Sequence, residues 1–297
     1  MRIAVTGAFG YSGRHIAGHL LEAGHEVVTL TNSPARVDPF GGKVAAFPFH
    51  FDEPRKLRAS LEGAHALVNT YWIRFDQKRF ERSRAVANTM VLFRAAKDAG
   101  VRRIVHISIT NPDSTCALPY FRSKAELEAD LKDLGVSYCI LRPSALFGEE
   151  DVLVNNIAWS LRHLPVIGVF GAGNYKLQPI HVDDLAQAAA RKAVATGDEI
   201  VQAIGPETFT YRGLVAAIRL AIGVKRPIMP VPPLLGYWGT RLVGLMVNDI
   251  VISREEIRGL MENRLCVDAP PLGTTRLTDW LEQHKDTLGR HYARSRK

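Results

Sequence analysis

The chain has 297 residues, long enough to bury a large hydrophobic core in one domain or two. Its 38 Lys and Arg residues outnumber its 30 Asp and Glu residues, a net charge of +8, but most are scattered without a recognition motif, so we expect no nucleic-acid partner. The three cysteines are widely spaced, which argues against a disulfide framework and against a metal site. The first predicted strand leaves no room for a signal peptide before it, so we expect a cytoplasmic protein.

The first predicted elements are a strand, a glycine turn and a helix. Residues 2–5 form an apolar run typical of a buried parallel strand, and helical spacing of apolar residues begins at His15. A Cβ at Gly7 or Gly10 would obstruct the turn and the approach of a pyrophosphate, and Gly13 lets the helix pack on the strand. The free N–H groups of the helix then face the phosphates. The predicted cofactor contacts of this turn are Gly7, Phe9, Gly10, Tyr11 and Gly13.

Apolar patterning predicts alternating strands and helices through the first half of the chain. We expect strands at 25–30, 44–51, 66–70, 101–110 and 134–143, with helices at 54–61, at 80–99 and between the fifth and sixth strands. Connections of helix length between strands predict a doubly wound parallel sheet, and therefore an α/β fold. We expect a nucleotide-binding core at 1–150 and a smaller, mostly helical part at 151–297, which returns partly to the sheet near 178–205.

The end of the second strand bears on the choice of cofactor. NAD sites usually place Asp or Glu there to bind the ribose 2′-hydroxyl, whereas this chain continues from Thr31 into Asn32 and Ser33. A 2′-phosphate is then not repelled, and Arg36, together with Arg14, is a candidate to pair with it. We therefore expect NADP rather than NAD, with Asn32, Ser33 and Arg36 as contacts. The alternative for Arg36 is a solvated loop residue.

Polar and aromatic residues follow the fourth strand. Because ligands of open α/β sheets bind beyond the carboxyl ends of the strands, Asn69, Thr70 and Tyr71 are predicted cofactor contacts. Tyr71 and the adjacent Trp72 are bulky, so packing in the core is an equally good interpretation for these two aromatic side chains.

A tyrosine and a lysine four residues apart carry the predicted chemistry. Tyr120 and Lys124 share one face of a helix, so the ammonium lies near the phenol and favours its phenolate form as a base. This spacing alone is common by chance. The spacing indicates a catalytic pair here because it stands after the fifth strand and downstream of the glycine turn.

These motifs together resemble the short-chain dehydrogenase/reductase superfamily, particularly its extended and atypical branches. The glycine spacing is Gly-x-x-Gly-x-x-Gly, and the tyrosine and lysine stand where that superfamily has its catalytic pair. Within that group the chain is similar to the NmrA-like proteins and to the 39-kilodalton accessory subunit class of respiratory complex I, and segments 118–124 and 155–159 carry the latter resemblance. The resemblance implies a Rossmann fold, and several such relatives do little or no chemistry.

The resemblance also implies a third catalytic residue, a Ser or Thr at the end of the fifth strand. The aligned position falls on Ile109, which is flanked by Ser108 and Thr110. Either one of these two hydroxyl groups orients the substrate oxygen, or the triad is incomplete.

Further cofactor contacts follow from the same resemblance. Asp52 stands where the family contacts the adenine amine, although an N-cap for the next helix is an alternative. Segment 141–148 matches the loop that passes the nicotinamide, which makes Pro143 and Phe147 predicted contacts. Asn88 aligns with a family asparagine or is a solvent-facing polar residue.

The second half of the chain contains an apolar stretch at 230–252. Arg241 and Asp249 interrupt it and prolines cluster at its start, so we predict no transmembrane span. A helix that covers the substrate cleft, or one that lies on a membrane or a partner, agrees better with the pattern. Ser253 begins a capping box, and Asp183 is interpreted as a helix cap rather than part of a metal or acid/base site.

Two functions remain open from the sequence. The first is an enzyme, an oxidoreductase or epimerase, in which Tyr120 is the acid/base and Lys124 binds ribose. The second is a nucleotide-binding module, either a sensor or a structural subunit. The sequence identifies no substrate, and it is compatible with a homodimer and with peripheral membrane association.

Overall fold

The structure is a computed structural model that describes residues 1–33, 36–73 and 82–294. It divides into two compact units. The first contains Met1–Pro143 and Val182–Gln202, and the second contains Ser144–His181 and Ala203–Lys297. The chain therefore leaves the first unit after its sixth strand and returns to it for one helix and most of one strand.

The strands and helices are numbered in chain order. The strands are β1 Arg2–Thr6, β2 Glu26–Leu30, β3 Ala45–Phe47, β4 Ala66–Asn69, β5 Arg103–Ile107, β6 Ser137–Pro143, β7 Leu146–Phe147, β8 Ile167–Phe170, β9 Lys176–Leu177, β10 Ile180–His181, β11 Glu199–Ala203, β12 Phe209–Thr210 and β13 Ile228–Val231. The helices are α1 Tyr11–Glu22, α2 Pro54–Leu61, α3 Arg82–Asp98, α4 Pro119–Asp133, α5 Leu153–His163, α6 Val182–Ala193, α7 Tyr211–Ala221, α8 Pro233–Val247, α9 Arg254–Met261 and α10 Leu277–His284.

The described residues form a seven-stranded central sheet in the order β11-β6-β5-β4-β1-β2-β3. Neighbouring strands from β3 through β1 to β6 run parallel, and Ile3 of β1 lies between Val27 on one side and Ala66 on the other. The strand order reverses direction between β1 and β4, which is where open α/β sheets bind their ligands. The predicted doubly wound parallel sheet is confirmed.

Helices cover the sheet and bury apolar side chains against it. Helix α1 packs with α6, and α3 packs with both α2 and α4. On α1 the buried face contains Gly13, Ile16, Ala17 and Leu20, which follows the helical period. The helix begins at Tyr11, whereas the apolar spacing in the sequence begins only at His15. The first turn carries no apolar pattern, so the sequence did not indicate where the helix starts.

A buried arginine joins the strands at one edge of the sheet. The guanidinium of Arg103 on β5 is almost fully buried and lies 3.1 Å from the carboxylate of Glu199 on β11. It also donates hydrogen bonds to the carbonyl oxygens of Lys192 and Gly197 and to Oγ of Ser137. Because its donors are satisfied, the buried charge is tolerated.

The second unit has its own hydrophobic core. Strand β7 pairs with β10, β8 with β13 and β9 with β12, and helices α5, α7 and α10 contribute to the core. The predicted capping box of α9 is confirmed, because the Ser253 side chain accepts from the N–H of Glu256, whose carboxylate accepts from the N–H of Ser253. Within the part of the chain that the structure describes, no helix combines the length and the apolar character needed to cross a membrane.

Asp183 lies in the first turn of α6, where sequence analysis interpreted it as a cap. Its carboxylate is 2.8 Å from Nε2 of His19 and 3.5 Å from Nδ1 of His15, both on α1. The aspartate thus connects two packed helices of the first unit. Among the described residues, no cluster of three or more His, Cys, Asp or Glu side chains is arranged to hold a metal ion.

Candidate functional site

The glycine turn between β1 and α1 brings the start of the helix against the end of the strand. Gly7 has φ +66°, a left-handed conformation that favours glycine, and its N–H donates to the carbonyl of Leu30. A Cβ on Gly13 would lie 2.1 Å from the carbonyl oxygen of Gly7, whereas one on Gly10 would lie 3.1 Å from it. The close approach of the helix to the strand therefore depends more on Gly13 than on Gly10.

The N-terminus of α1 has the properties of an anion site. Its N-cap is Gly10, so no N-cap side chain bonds to the N–H groups of the first turn, and no acidic residue lies in that turn. The N–H groups of a helix start and its positive dipole end attract phosphate. The turn thus offers a place for a dinucleotide pyrophosphate, which a Cβ on Gly13 would disturb. In the same turn Phe9 is buried and Tyr11 is half-buried.

Thr29 on β2 fixes the turn and was not identified from the sequence. Its buried hydroxyl accepts from the N–H of Ala8 at 2.9 Å and donates to the carbonyl of Val5 at 2.8 Å. One hydroxyl therefore joins the turn to both strands. No local pattern reveals this role, because a buried Thr in a strand is ordinary.

A second set of hydrogen bonds connects the ends of β1, β4 and β5. The side-chain oxygen of Asn69 accepts from the hydroxyl of Thr6 and from the N–H of Tyr71, both at 3.1 Å. These two bonds determine the orientation of the Asn69 side-chain amide, so its nitrogen donates to Nδ1 of His106. The N–H of Thr70 donates to the hydroxyl of Thr6. Asn69 is fully buried, so its polar groups hold neighbouring strand ends together.

Tyr71 lies in an aromatic cluster. Its ring packs against Phe49 and Phe51, which stack on each other with centroids 4.7 Å apart, and its hydroxyl accepts from the half-buried amide of Asn88. Burial raises the pKa of Tyr71. The core interpretation agrees with this placement, and Asn88 is a partner of Tyr71 rather than a fully solvated residue.

Asp52 is exposed, and its carboxylate lies 4.0 Å from the guanidinium of Arg84. The N-cap of α2 is Glu53, so the capping alternative for Asp52 is wrong. The chain makes its turn one residue later than the pattern suggested, because His50 adopts a positive φ and accepts from the N–H of Glu53 through its carbonyl. The carboxylate is left with an accessible surface.

The loop after β2 also presents exposed side chains. Asn32, Ser33 and Arg36 are exposed, and the N–H of Arg36 donates to the carbonyl of Ser33. The N–H of Ser33 in turn donates to the hydroxyl of Thr31 at 3.1 Å. The backbone of Arg36 is therefore held next to Ser33, close after the end of β2, and its side chain is exposed.

The predicted catalytic pair lies at the start of α4. Lys124 is 2% exposed, and its ammonium donates to the carbonyl of Ile107 at 3.0 Å and lies 4.2 Å from the centre of the Trp72 ring. The half-buried Tyr120 meets the same indole edge-on, with ring centroids 5.8 Å apart. The guanidinium of Arg82 lies over the Tyr120 ring at 5.7 Å. Trp72 thus contacts both members of the pair.

The surroundings of the pair change its proton affinities. Burial lowers the pKa of Lys124 to about 7, against the opposing charge of Glu128 one turn later. Burial, and secondly the charge of Lys124, lowers the pKa of His106 well below its usual value. The histidine is therefore neutral, and Lys124 changes charge close to neutral pH.

Ser108 is engaged in a buried ionic network. Its hydroxyl donates to Glu128 at 2.6 Å, and the same carboxylate forms a two-bond pair with Arg142 at 3.0 and 2.5 Å. Ile109 is buried, and Thr110 is fully buried with its N–H donating to the carbonyl of Pro143. Glu128 and Arg142 were missed in the sequence because nothing local links positions so far apart.

The last two predicted contacts fall on either side of the boundary between units. Pro143 ends β6 in the first unit. Phe147 is fully buried in the second unit, where its ring packs edge-on against His181 and Trp280. The structure gives Phe147 a packing role, and its predicted contact with a cofactor stays a prediction.

Sheet, turn and helix start together define a Rossmann-type nucleotide-binding protein. A family model described as NAD(P)H-binding matches residues 7–158, just over half of the chain. The chain therefore belongs to the NAD(P)H-binding family.

Sequence relatives agree with the predicted class. The mitochondrial NADH dehydrogenase (ubiquinone) 1 alpha subcomplex subunit 9 of Rattus norvegicus is 24% identical over an alignment of length 291, and the match covers 90% of this chain and 74% of the subunit. The subunit of the same name from Arabidopsis thaliana is 24% identical over 223 residues, 71% of this chain and 55% of the subunit. The predicted similarity to the complex I accessory subunit class is confirmed.

Solved structures share the fold at low sequence identity. The Citrobacter sp. triphenylmethane reductase complexed with NADP(H) has a TM-score of 0.79 at 17% identity, covering 95% of this chain and 99% of that one. The Escherichia coli NADPH-dependent quinone oxidoreductase complexed with NADPH has a TM-score of 0.76 at 21% identity, with the same coverages. The Thermotoga maritima UDP-glucose 4-epimerase has a TM-score of 0.67 at 18% identity, covering 78% and 86%.

Proposed function

We propose that the protein is an NADP(H)-dependent oxidoreductase that interconverts a small carbonyl compound and its reduced form. The observation that supports this most directly is the buried Lys124 one helical turn from Tyr120, at the same edge of the sheet as the glycine turn. Lysine is almost never fully buried without a partner, and a strongly shifted lysine in such a place is a candidate functional group.

The residues of the pair have different roles in this proposal. When bound, the nicotinamide gives a hydride to a substrate carbon or takes one from it. Tyr120 gives a proton to the substrate oxygen during reduction and takes it back during oxidation. Lys124 binds the ribose and in its charged form favours the phenolate. Trp72 contacts both side chains and limits access of water to the ammonium.

The cofactor of the proposal is NADP rather than NAD. The loop after β2 holds no carboxylate between Thr31 and Arg36, and the guanidinium of Arg36 is exposed there. A guanidinium pairs with a phosphate through charge-assisted hydrogen bonds, whereas NAD offers only a hydroxyl at that position. The reductase from Citrobacter sp. and the quinone oxidoreductase from E. coli, which share this fold, were each solved with NADP(H).

A nucleotide-binding module without turnover is the second candidate. Two observations favour it. The hydroxyl of Ser108 is held by Glu128, and Ile109 occupies the position at which a catalytic hydroxyl was expected. In addition, sequence relatives are subunits of a larger respiratory assembly. In this alternative NADP binds and stabilises the fold, and Tyr120 does no chemistry.

Purified protein distinguishes the two candidates directly. We expect NADPH to bind, and we expect NADPH oxidation with at least one member of a panel of ketones, quinones and enones. Tight NADPH binding with no oxidation across the whole panel would favour the module. Absence of NADPH binding would contradict both candidates.

A further inference from the structure

Helix α8 carries an exposed apolar face. Every residue of this helix is described, and none is buried. The exposed large side chains are Leu234 at 60%, Leu235 at 65%, Trp238 at 56%, Leu242 at 67%, Leu245 at 80% and Met246 at 74%. At ~100° per residue these positions fall within an arc of roughly 120°, so they form one continuous face, here called the outer face of α8.

The opposite face of the helix packs against β8 at a glycine. A Cβ on Gly236 would lie 2.7 Å from the ring of Phe170 on β8, and Gly244 accepts from the N–H of Asp249 in the turn that ends the helix. Asn248 ends the helix in the left-handed conformation with φ 52°. The close fit of Gly236 against Phe170 sets the rotation of the helix, and the outer face is exposed to solvent.

The charged side chain on α8 itself is positive. The helix contains no acidic residue and Arg241 is exposed on it, while Asp249 follows two residues after its end. Arg241 is next to the outer face on the helix surface, and the exposed guanidinium of Arg254 lies 4.7 Å from the ring centre of Tyr237. The whole chain has a net charge of +8. These positive groups attract an anionic surface.

The dimensions of α8 favour lying flat over spanning. Fifteen residues give a helix about 22 Å long, shorter than the hydrocarbon core of a bilayer at about 30 Å. An apolar face with an indole and flanking basic side chains is the pattern of helices that lie in the interface of a bilayer. A protein partner would instead need groups for hydrogen bonding around the apolar centre, and the outer face offers few.

We propose that the outer face of α8 docks on an anionic lipid bilayer. The six large side chains enter the boundary between headgroups and acyl chains, while Arg241 contacts the anionic headgroups. This surface belongs to the second unit and contains none of the residues proposed for nucleotide binding and catalysis.

The test uses the full chain with vesicles of phosphatidylcholine alone and of phosphatidylcholine with 30% phosphatidylglycerol, measured by co-sedimentation. We expect the protein to bind the anionic vesicles and to bind the zwitterionic ones more weakly. The double variant Leu242→Asn/Leu245→Asn should lose at least about tenfold in partitioning, because it removes two of the apolar contacts. Arg241→Gln should lose about fivefold on anionic vesicles only.

A matched control is Leu220→Asn, which changes a leucine on α7 that is 83% exposed and outside the outer face. It should bind vesicles like the wild type. Unchanged melting temperature and NADPH affinity in all three variants show that they are folded. Equal vesicle binding by wild type and double variant, or no binding to either vesicle, would overturn the proposal. A third outcome would also overturn it: a wild-type protein that is dimeric and binds no vesicles, and a double variant that is monomeric. In that case a second copy of the chain occupies the outer face.

Discussion

The ammonium of Lys124 is buried beside the indole of Trp72, in surroundings that favour the neutral amine. The ammonium donates a hydrogen bond to the carbonyl of Ile107, and the carboxylate of Glu128 only partly offsets the loss of water. Proteins retain such groups for function at the expense of stability. At the scale of single residues, we therefore expect Lys124 to lower the stability of the folded protein and to be retained for its proposed role in catalysis.

Replacing Lys124 with methionine should stabilise the protein at pH 6. The pKa of Lys124 is about 7 in the folded protein and is normal in the unfolded chain, so below pH 7 the folded state carries the full cost of a buried charge. Between pH 7 and about 10.5 the folded state releases this proton before the unfolded chain does, and the stability of the wild type rises. We expect Lys124→Met to melt higher by at least about 2 °C at pH 6, with a smaller difference at pH 9.

The control for this prediction is Lys132→Met, an exposed lysine on the same helix. It should change the melting temperature little, and by the same amount at both pH values. A Lys124→Met variant that melts below the wild type at pH 6 would show that the lysine is stabilising.

Arg36 is the residue on which the cofactor preference depends. Pairing of its guanidinium with a 2′-phosphate is worth roughly 1.5–3 kcal/mol, which corresponds to roughly ten- to over a hundredfold in affinity. Titration of NADPH and NADH should therefore give the lower dissociation constant for NADPH, and Arg36→Ala should raise that constant alone. Equal dissociation constants for both cofactors in the wild type would contradict this preference.

At the scale of elements, the sequence predicted structure best where apolar periodicity was unbroken. Helix α2 occupies the expected 54–61. Strand β3 is shorter than the expected 44–51, because Phe49 and Phe51 leave the ladder for an aromatic cluster with Tyr71. An alternation of apolar residues does not distinguish a strand from a loop whose aromatic side chains turn inward.

The glycine turn gives a matched pair of substitutions on α1. Gly13→Ala places a Cβ against the backbone oxygen of Gly7, so we expect a loss of about 1–3 kcal/mol in the free energy of unfolding together with weaker NADPH binding. Gly18 is on the same helix with nothing within 4 Å of its missing Cβ. Gly18→Ala should therefore stabilise by about 0.5–1 kcal/mol. Urea unfolding measures both, and similar effects of the two alanines would contradict the close packing of Gly13.

At the scale of the whole molecule, the doubly wound sheet was predictable because each strand and helix carries its own pattern. The site was predictable only in part. The glycines and the Tyr120–Lys124 spacing are local signals, whereas the bonds from Ser108 to Glu128 and from Asn69 to His106 join different elements and leave no mark in a single sequence. Exposure of α8 was one of the alternatives that its apolar pattern left open, beside a helix that covers the substrate cleft.

The central claim is that Tyr120 and Lys124 work as a catalytic pair on a bound nucleotide. Its most direct test is Tyr120→Phe, assayed in parallel for NADPH affinity and for NADPH oxidation with the best substrate of the panel. We predict a dissociation constant within about threefold of the wild type and a rate lower by roughly two to four orders of magnitude, because the hydroxyl serves proton transfer and not nucleotide binding. A Tyr120→Phe variant that oxidises NADPH at the wild-type rate would contradict the claim.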